Sequence, residues 1–386
     1  MDNLFFNEEH TMLVKMVRNF ANTEIAPIVQ DMDKKGKIPK EIISQMAELG
    51  LMGIPISKEY GGAGMDTVAY AAAVMEIAKV DASVAITMAA HTSLGSLPIA
   101  IAGTDEQKKK YLPRLASGEI LGAFGLTEPS AGSDAGSTKT TAELDGDEYV
   151  INGGKIFITN SSIAGLLTIT TNIIEHGENK GIGALIVETD NLGLKIGPKE
   201  KKMGWRASDT RQLFFENMRV PKENLLGQPT EGFKTFLKTL TGGRISLAAL
   251  SCGTAEGAYQ KALQYSTERK AFGKEIHKFQ AIGFKLADMA TEIEAAKLLT
   301  FHAAWMKDQG RDVTKQAAMA KLFASETAMR VTTEAIQIHG GYGYVKEYDV
   351  ERFFRDAKIL EIGEGTSEIQ RIIISRELIK TFSKVA

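Results

Sequence analysis

The sequence has a single cysteine, Cys252, among its 386 residues. One cysteine cannot form an intramolecular disulfide, and it cannot build a cysteine-based zinc or iron–sulfur site. The N-terminal stretch MDNLFFNEEHTMLVKMV also lacks the basic flank and the unbroken apolar run of a signal peptide. Because these features suit a reducing compartment, we expect a cytoplasmic protein.

Strong charge of either sign and long apolar runs are absent as well. The 46 lysine and arginine residues nearly balance the 48 aspartate and glutamate residues, which leaves a formal net charge of −2. Both signs are mixed along the chain, so no basic surface is expected to hold a nucleic acid or an anionic membrane. We find no window of about 18 uncharged apolar residues. The expected partners are small molecules or proteins, and neither nucleic acid nor membrane.

The sequence lacks the commonest catalytic motifs. It has no H-E-x-x-H, no G-x-S-x-G and no phosphate loop that ends in Gly-Lys-Ser/Thr. These absences disfavour metal-dependent and nucleophilic hydrolases, and we expect no metal site. The glycine-rich run HGGYGY at residues 339–344 follows a helical pattern rather than a strand, so it lacks the context of a nicotinamide dinucleotide fold. A helix C-cap followed by a turn is its simplest interpretation.

Three segments with different residue patterns predict an α+β fold. Residues 1–122 show helical spacing, with Asn7 as an N-cap and a capping box at Thr104. Residues 123–232 contain short β-branched and aromatic runs, which favour an antiparallel sheet or small barrel. Asn152 and the two glycines that follow it predict a hairpin turn. Residues 233–386 contain long helical patterns, which favour an up-and-down four-helix bundle.

The run GLTEPSAGSDAGS, residues 125–137, lies where the helical pattern gives way to the β pattern. It combines small residues, hydroxyls and two carboxylates. Backbone amides near Gly132 and Ser133 could approach a ligand closely, and Thr127 could offer its hydroxyl to a heterocycle edge. A polar surface loop is the alternative, and the pattern alone favours it.

Two long patterns resemble the signatures of the acyl-CoA dehydrogenase family. Residues 125–137 resemble the first signature, and the run from Gln337 to Asp356 resembles the second. The segments KIFITN and ERKAFGKEIHKFQAI are also similar to family segments, and the three-part order covers the whole chain. The resemblance implies an N-terminal all-α domain at residues 1–122, a middle β domain at 123–232 and a C-terminal helical bundle at 233–386.

In this family FAD lies between the β domain and the bundle, and its adenine end reaches a neighbouring subunit. The positions that match flavin contacts are Phe124, Leu126, Thr127, Gly132, Ser133, Phe157, Thr159, Thr366 and Glu368. The positions that match contacts to a partner subunit's dinucleotide are Arg269, Phe272, Gln280, Gln337, Ile338, Gly340 and Gly341. The resemblance therefore implies a homotetramer, a dimer of dimers. Taken alone, Phe157 would be a core strand residue and Arg269 an ordinary surface charge.

Glu364, in the stretch EIGEGTSEIQR, matches the catalytic base of the family. The implied reaction removes the α proton of an acyl thioester, while a hydride passes from the β carbon to flavin N5 and onward to electron-transferring flavoprotein. The thioester oxygen is held by the backbone N–H of the base and by a hydroxyl of the flavin. A carboxylate suits this task if burial raises its pKa. Without the motif, a flexible loop with an exposed glutamate would be the commoner interpretation.

The resemblance also implies a substrate pocket. The matching positions are Thr87, Ala90, Ser133, Arg244, Gly363 and Gly365. Many relatives carry a bulky aromatic residue where this chain has Gly363, so we expect a wide pocket for short to medium chains, including branched ones. Isovaleryl-CoA dehydrogenases take their base from the position of Gly243, and a glycine there leaves Glu364 as the base. A structural ion pair is the alternative role for Arg244.

Three other functions fit parts of the same pattern. An acyl-CoA oxidase would use the same base but let oxygen reach the reduced flavin. A flavin monooxygenase or nitroalkane oxidase would usually alter the glutamate position. A catalytically silent acyl-CoA-binding protein would not need an intact base. One methylene contributes only about 1–3 kcal/mol to discrimination, so the sequence does not rank butyryl against hexanoyl or isobutyryl chains.

Overall fold

Side-chain caps begin several helices of the N-terminal part. The computed structural model describes residues 4–385. The side chain of Asn7 accepts a hydrogen bond from the His10 backbone N–H, and Thr104 forms the predicted capping box with Gln107. The helices are α1 Glu8–Phe20, α2 Val29–Lys35, α3 Lys40–Glu48, α4 Thr67–Ala78, α5 Ala82–Ala89, α6 Leu97–Ala102 and α7 Asp105–Ala116. Helices α4 and α5 are buried on all sides and form the centre of this part.

The β part is a seven-stranded mixed sheet. Its strands are β1 Leu121–Gly125, β2 Thr141–Asp145, β3 Glu148–Thr159, β4 Ala164–Glu175, β5 Glu178–Glu188, β6 Leu194–Lys199 and β7 Thr210–Pro221. Their order is β1-β4-β2-β3-β7-β6, with β5 also paired to β4. Both β1 and β2 pair with β4 in parallel, so the expectation of an antiparallel sheet was wrong. The intervening β2–β3 hairpin supplies the crossover length that the parallel β1–β4 pair requires.

The predicted hairpin turn at Asn152 is a β-bulge inside β3 instead. The pairing register with β7 shifts between Ile151 and Gly153, and Gly153 has a φ of 135°. The side chains of Asn152 and Asn217 bridge the two strands at this point. The real hairpin turn lies earlier, between β2 and β3, where Gly146 has a φ of 62°. A β-bulge and a tight turn both require a residue with positive φ, and glycine is favoured in both. The glycines after Asn152 were therefore wrongly assigned to a turn.

Long helices return in the C-terminal part, as predicted. They are α8 Gly232–Glu268, α9 Gln280–Asp308, α10 Thr314–His339, α11 Val350–Ala357 and α12 Ser367–Val385. Helix α8 packs against α4, α9 and α10, and α10 packs against α12. Two short strands, β8 Lys270–Ala271 and β9 Lys274–Glu275, follow α8. The helices at both ends of the chain share one hydrophobic core, while the sheet has a core of its own.

A buried charge cluster around Arg352 joins the three parts. The Arg352 guanidinium donates to Asp349 Oδ1 at 2.7 Å, to Asp81 Oδ2 at 2.9 Å and to the Val80 carbonyl at 2.8 Å. Asp81 caps α5, so the bond to Asp81 connects the C-terminal part to the N-terminal helices. Asp356 accepts a hydrogen bond from the Trp205 backbone N–H, which connects the β part.

One helical stretch, Ala82–Ala102, is long and apolar enough to cross a membrane by length and composition, with a mean hydropathy of 1.5. It is interrupted by threonine, serine and histidine, so it is not an unbroken apolar run. Of its most apolar window, 78% is buried inside the protein. Core helices pass the same test, and the stretch is therefore weak evidence for a span.

Candidate active site

The predicted base lies on a short loop between two helical segments. The chain leaves a helical turn at Glu361, passes through Glu364 and Gly365 with φ of 53° and 93°, and enters α12. The left-handed region is uncommon for a residue other than glycine. The Gln370 side chain donates to the carbonyls of Glu364 (3.3 Å) and Gly365 (2.8 Å). These bonds fix the loop and argue against a flexible helix entry.

The carboxylate of Glu364 is turned into the protein. Its Oε2 atom is buried and has no hydrogen-bond partner in the described part of the chain. Burial raises the pKa of Glu364 to about 7, although the charges of Lys321 and Arg244 act in the opposite direction. Burial disfavours the charged form of a carboxyl group, so the shift has the direction expected for a base. An exposed glutamate, the alternative interpretation, is therefore excluded.

Space for this carboxylate comes from Gly243 on α8. A Cβ atom at Gly243 would lie 2.2 Å from Glu364 Oε2 and 3.2 Å from Leu94 Cδ2. Real Cβ atoms do not approach other heavy atoms so closely, so an alanine would displace the carboxylate or force the helix to move. Gly243 and Glu364 are the two positions at which different relatives are expected to carry the base, and they lie in direct contact in this chain.

Arg244 is buried beside the base without a protein partner. Its Nε atom forms no hydrogen bond, and none of the ion pairs within residues 4–385 involves Arg244. The alternative of a structural ion pair is therefore wrong. The Glu364 charge acts on Arg244 from nearby, and burial lowers the pKa of the guanidinium. A buried guanidinium without a partner is costly, which makes it a candidate donor for a ligand oxygen.

Thr87 and Ala90 are buried on the stretch that begins with α5. The Thr87 hydroxyl donates to the Ser83 carbonyl at 2.9 Å, so its hydrogen is used within the helix. The Thr87 carbonyl accepts a hydrogen bond from the Asn160 side chain at 2.9 Å. Since Asn160 directly follows β3, this contact joins the stretch that carries the predicted substrate positions Thr87 and Ala90 to the KIFITN segment.

The loop at residues 125–137 presents backbone to solvent. Gly132 and Ser133 are exposed, and a Cβ atom at Gly132 would meet nothing within 4 Å. The Thr127 carbonyl accepts a hydrogen bond from the Ile156 N–H at 2.9 Å, which fixes the loop to β3. Phe124 and Leu126 are partly buried, and the Phe124 ring stacks on Phe236 of α8 with centroids 4.2 Å apart.

Phe157 does not belong to the core. It has a φ of 60° at a register shift between Lys155 and Ile158, and 62% of its surface is exposed. The bulge turns Lys155 and Ile158 inward and the aromatic ring outward, so the core interpretation was wrong. An exposed aromatic face, with the unused hydroxyls of Thr127 and Thr159, fits a flat heterocycle such as a flavin ring.

A buried ion pair behind this loop was missed by the sequence reasoning. The fully buried Lys155 Nζ donates to Glu128 Oε1 at 2.7 Å and to the Leu126 carbonyl at 3.2 Å. Glu128 also accepts a hydrogen bond from the Lys139 N–H at 2.7 Å. Burial opposes ionisation of Glu128, but hydrogen bonds from Lys155 and Thr138 hold its pKa at about 2. In the sequence, the only indication of this pair was a lysine at an inward-facing position of a predicted strand.

Comparison with known proteins identifies the family. Three family models match: acyl-CoA dehydrogenase N-terminal domain at residues 7–119, middle domain at 123–218 and C-terminal domain at 230–379. The chain belongs to the acyl-CoA dehydrogenase family. The predicted family, the three-part fold and the oxidoreductase class are thereby confirmed. The individual site residues and the domain boundaries of the sequence analysis stay predictions.

Relatives of this acyl-CoA dehydrogenase chain align over almost their full length. A probable acyl-CoA dehydrogenase, YngJ, of Bacillus subtilis (strain 168) is 54% identical over 98% of this chain and 100% of its own. The short-chain specific acyl-CoA dehydrogenase of Clostridium acetobutylicum is 49% identical over 96% of this chain and 98% of its own.

Solved structures give the same result. Butyryl-CoA dehydrogenase from Megasphaera elsdenii superposes with a TM-score of 0.95 at 45% identity, covering 98% of this chain and 100% of that one. A chain from work on the electron transferring flavoprotein of Acidaminococcus fermentans has a TM-score of 0.95 at 48% identity, with 97% and 99% coverage. An acyl-CoA dehydrogenase of Bacillus anthracis complexed with FAD has a TM-score of 0.93 at 37% identity, with 98% and 68% coverage.

A second group of predicted dehydrogenase site residues lies at the end of α8, between the short strands β8 and β9, at the start of α9 and near the end of α10. Arg269, Phe272, Gln280 and Gln337 are exposed, and Phe272 is 96% exposed with a φ of 50°. The Arg269 guanidinium lies 5.5 Å from the Tyr342 ring centroid, which brings it to the glycine-rich run.

Within that run, Gly340 has a φ of 61° and caps α10, as its simplest interpretation predicts. A Cβ atom at Gly340 or Gly341 would meet nothing within 4 Å. Ile338 is buried in the core, so its side chain is directed away from any exposed dinucleotide site.

Thr366 and Glu368 lie at the start of α12. The Thr366 hydroxyl accepts a hydrogen bond from the Ile369 N–H at 3.3 Å, which stabilises the first turn of α12. The same hydroxyl can also contact a ligand. Glu368 is exposed.

Proposed function

We propose that this protein is an FAD-dependent acyl-CoA dehydrogenase for short- to medium-chain thioesters, branched ones included, and that it forms trans-2-enoyl-CoA. One observation carries the proposal. The Oε2 atom of the Glu364 carboxylate is buried without a hydrogen-bond partner, the pKa of Glu364 is raised to about 7, and the unpaired Arg244 lies beside it. A site that only bound acyl-CoA would have no need of a buried carboxylate of this kind.

Glu364 takes the α proton at its carboxylate. A base whose pKa lies near the working pH is ionised for a large fraction of the time and still binds a proton well. Positioned base catalysis contributes roughly 10²–10⁴-fold to the rate. The backbone N–H of Glu364 forms none of the backbone hydrogen bonds in the described chain, so it can donate to the thioester oxygen. This donation stabilises the negative charge that develops as the proton leaves.

The residues present fit FAD as the cofactor. Phe157 would cover the ring, Thr127 and Thr159 would donate hydrogen bonds, and the open backbone at Gly132 and Ser133 would face the phosphates and the CoA moiety. When bound, the flavin supplies the acceptor for the hydride from the β carbon. The buried pair of Lys155 and Glu128 holds the Leu126 and Thr127 backbone in place for this contact.

The residues around the base favour a wide acyl pocket. Gly363 carries no side chain, and a Cβ atom there would meet only the Ile359 carbonyl, at 3.4 Å. Gly243, Thr87 and Ala90 are also small. Two relatives are named for short-chain and butyryl substrates, which supports a substrate of that size.

Two partners complete the proposal. The electron acceptor is electron-transferring flavoprotein, since a closely similar chain comes from structural work on that protein.

The assembly is a homotetramer, and the exposed patch of Arg269 and Phe272 reaches the cofactor of a neighbouring subunit. Phe272 is 96% exposed, and the exposed rings of Tyr342 and Tyr344 lie on the glycine-rich run that Arg269 contacts, so this surface suits an assembly that covers it.

The test is an anaerobic titration of the purified flavoprotein with butyryl-, hexanoyl-, isobutyryl- and isovaleryl-CoA, followed by flavin absorbance. We expect bleaching with at least one of them and slow reoxidation in air. Rapid reoxidation by oxygen would indicate an oxidase. Flavin that binds but never bleaches would contradict the proposed reaction.

A further inference from the structure

Lys321 is a fully buried lysine directly below the base loop. It lies in the first half of α10, its surface exposure is 0%, and its Nζ atom donates to the Gly365 carbonyl at 2.8 Å. None of the ion pairs within residues 4–385 involves Lys321. Burying an ammonium group with a single carbonyl partner is costly, so the position needs an explanation other than packing.

The Gly365 carbonyl is the point where the loop is held. It accepts hydrogen bonds from Lys321 and from the Gln370 side chain, and both donors reach it at 2.8 Å. Glu364 and Gly365 both have φ in the left-handed region, which is strained for a residue such as glutamate unless neighbours compensate. Gln370 supplies neutral hydrogen bonds, whereas Lys321 also supplies a positive charge.

Several charged or titratable groups surround the base. Arg244 faces Glu364 from α8, Lys321 from α10, and the Tyr70 hydroxyl from α4. The acids Glu361 and Glu368, on either side of the loop, act on Lys321 together with Glu364. Arg244 is the other cation, but it has no contact with the loop backbone. Lys321 alone combines a loop hydrogen bond with a charge that favours the ionised carboxylate.

We propose that Lys321 is a positioning residue that fixes the left-handed Glu364–Gly365 loop through the Gly365 carbonyl and keeps Glu364 ionised by its charge. This inference rests on the proposed function, because it assigns Lys321 a role in presenting the same base. It has two separable parts, the hydrogen bond and the charge. Removing only the charge raises the pH at which Glu364 ionises, whereas removing both also loosens the loop.

The charge is tested by the pH dependence of anaerobic flavin reduction by butyryl-CoA. Lys321→Gln keeps a hydrogen-bond donor without charge, Lys321→Met removes both, and Lys321→Arg keeps both. The matched control is Lys297→Met, since Lys297 is another mostly buried lysine of the bundle and pairs with Glu256 away from the base. In the two uncharged variants we expect the pH at which flavin reduction is half-maximal to rise by about one unit. This is the smallest pKa change expected when a carboxylate loses an adjacent opposite charge. Lys321→Arg and Lys297→Met should keep the wild-type midpoint. A wild-type midpoint in either uncharged variant would overturn the charge assignment.

Loop fixation is tested without turnover, by hydrogen–deuterium exchange of residues 361–371 in the flavin-loaded protein. Lys321→Met should exchange at least tenfold faster in this segment than Lys297→Met, and Lys321→Gln should lie between them. Equal exchange in all variants would overturn the positioning role. If wild-type flavin does not bleach with any acyl-CoA, the proposed function fails, but the exchange result still decides whether Lys321 holds the loop.

Discussion

Gly243 and Glu364 meet across the site, because a Cβ atom on Gly243 would lie 2.2 Å from the Glu364 Oε2 atom. Gly243→Ala should therefore displace the carboxylate without unfolding the helix, since the end of a glutamate side chain can move. Misplacing a catalytic group by about 1 Å can cost about 10²-fold, so we expect flavin reduction to slow by roughly one to two orders of magnitude. Rapid mixing with butyryl-CoA measures this rate.

The control for this prediction is Gly242→Ala on the same helix. A Cβ atom there would face Lys307 Nζ at 3.1 Å and Leu97 Cδ1 at 3.9 Å rather than the base. Gly242→Ala should keep a rate within a few-fold of wild type. Equal rates for the two variants would show that the space at Gly243 is not needed.

The raised pKa of Glu364 predicts a pH-dependent reaction. Only the ionised carboxylate accepts a proton, and the ionised fraction grows as pH rises through the pKa. We expect kcat/KM to increase with pH to a half-maximal value near pH 7, because this parameter reports the free enzyme and the pKa of Glu364 is about 7 there. Assays from pH 5.5 to 9 measure the profile. A flat profile, or a midpoint at the ordinary glutamate value, would contradict the burial of this group.

The Lys155–Glu128 pair predicts a stability effect. Lys155→Met leaves the Glu128 carboxylate buried without its ion-pair partner, and breaking a buried pair in this way costs about 3–5 kcal/mol. We expect a lower unfolding temperature and partial loss of bound flavin. Lys155→Met combined with Glu128→Gln should recover part of the stability, since no unpaired charge remains. Thermal unfolding followed by flavin fluorescence distinguishes these outcomes.

The same pair predicts how the wild type responds to acid. The folded-state pKa of Glu128, about 2, lies below the ordinary glutamate value, so the pair stabilises the protein above the ordinary value. This contribution is lost as pH falls toward 2. The Lys155→Met, Glu128→Gln variant should show a weaker loss across that range.

The open space beside Gly363 predicts that this position controls how well branched acyl chains are accepted. Its φ is not in the left-handed region, and the space around its Cβ position is open, so a phenylalanine can be accommodated. Gly363→Phe should narrow the pocket and lower kcat/KM for isobutyryl- or isovaleryl-CoA relative to butyryl-CoA by about 10–200-fold. Butyryl-CoA is the internal control. An unchanged ratio would place the acyl branch away from Gly363.

Much of the fold could be predicted because its signals are local. The caps at Asn7 and Thr104 depend on residues within one helical turn, and both occur in the structure. The pairing of β1 with β4 depends on segments about forty residues apart in sequence, and no local pattern indicates its direction. The glycine at 153 supports either a turn or a bulge, and only the partner strand decides between them.

The site was predictable in part for the same reason. Glu364 could be assigned from its motif, but its buried environment depends on Gly243 and Arg244, which lie more than a hundred positions earlier. In the sequence, Lys321 resembles an ordinary surface charge and Lys155 differs from one only by its inward position on a strand, yet both are fully buried. Their partners come from other elements, so spacing along the chain does not reveal them.

The role of Glu364 is tested most directly by Glu364→Gln, which removes the base with little change of volume. The variant and the wild type are mixed anaerobically with butyryl-CoA, and flavin absorbance is recorded together with the binding of an unreactive acyl-CoA analogue. We predict unchanged flavin content and analogue binding in the variant, with flavin reduction slowed by at least about 10²-fold. Flavin reduction by the variant at the wild-type rate would contradict the account.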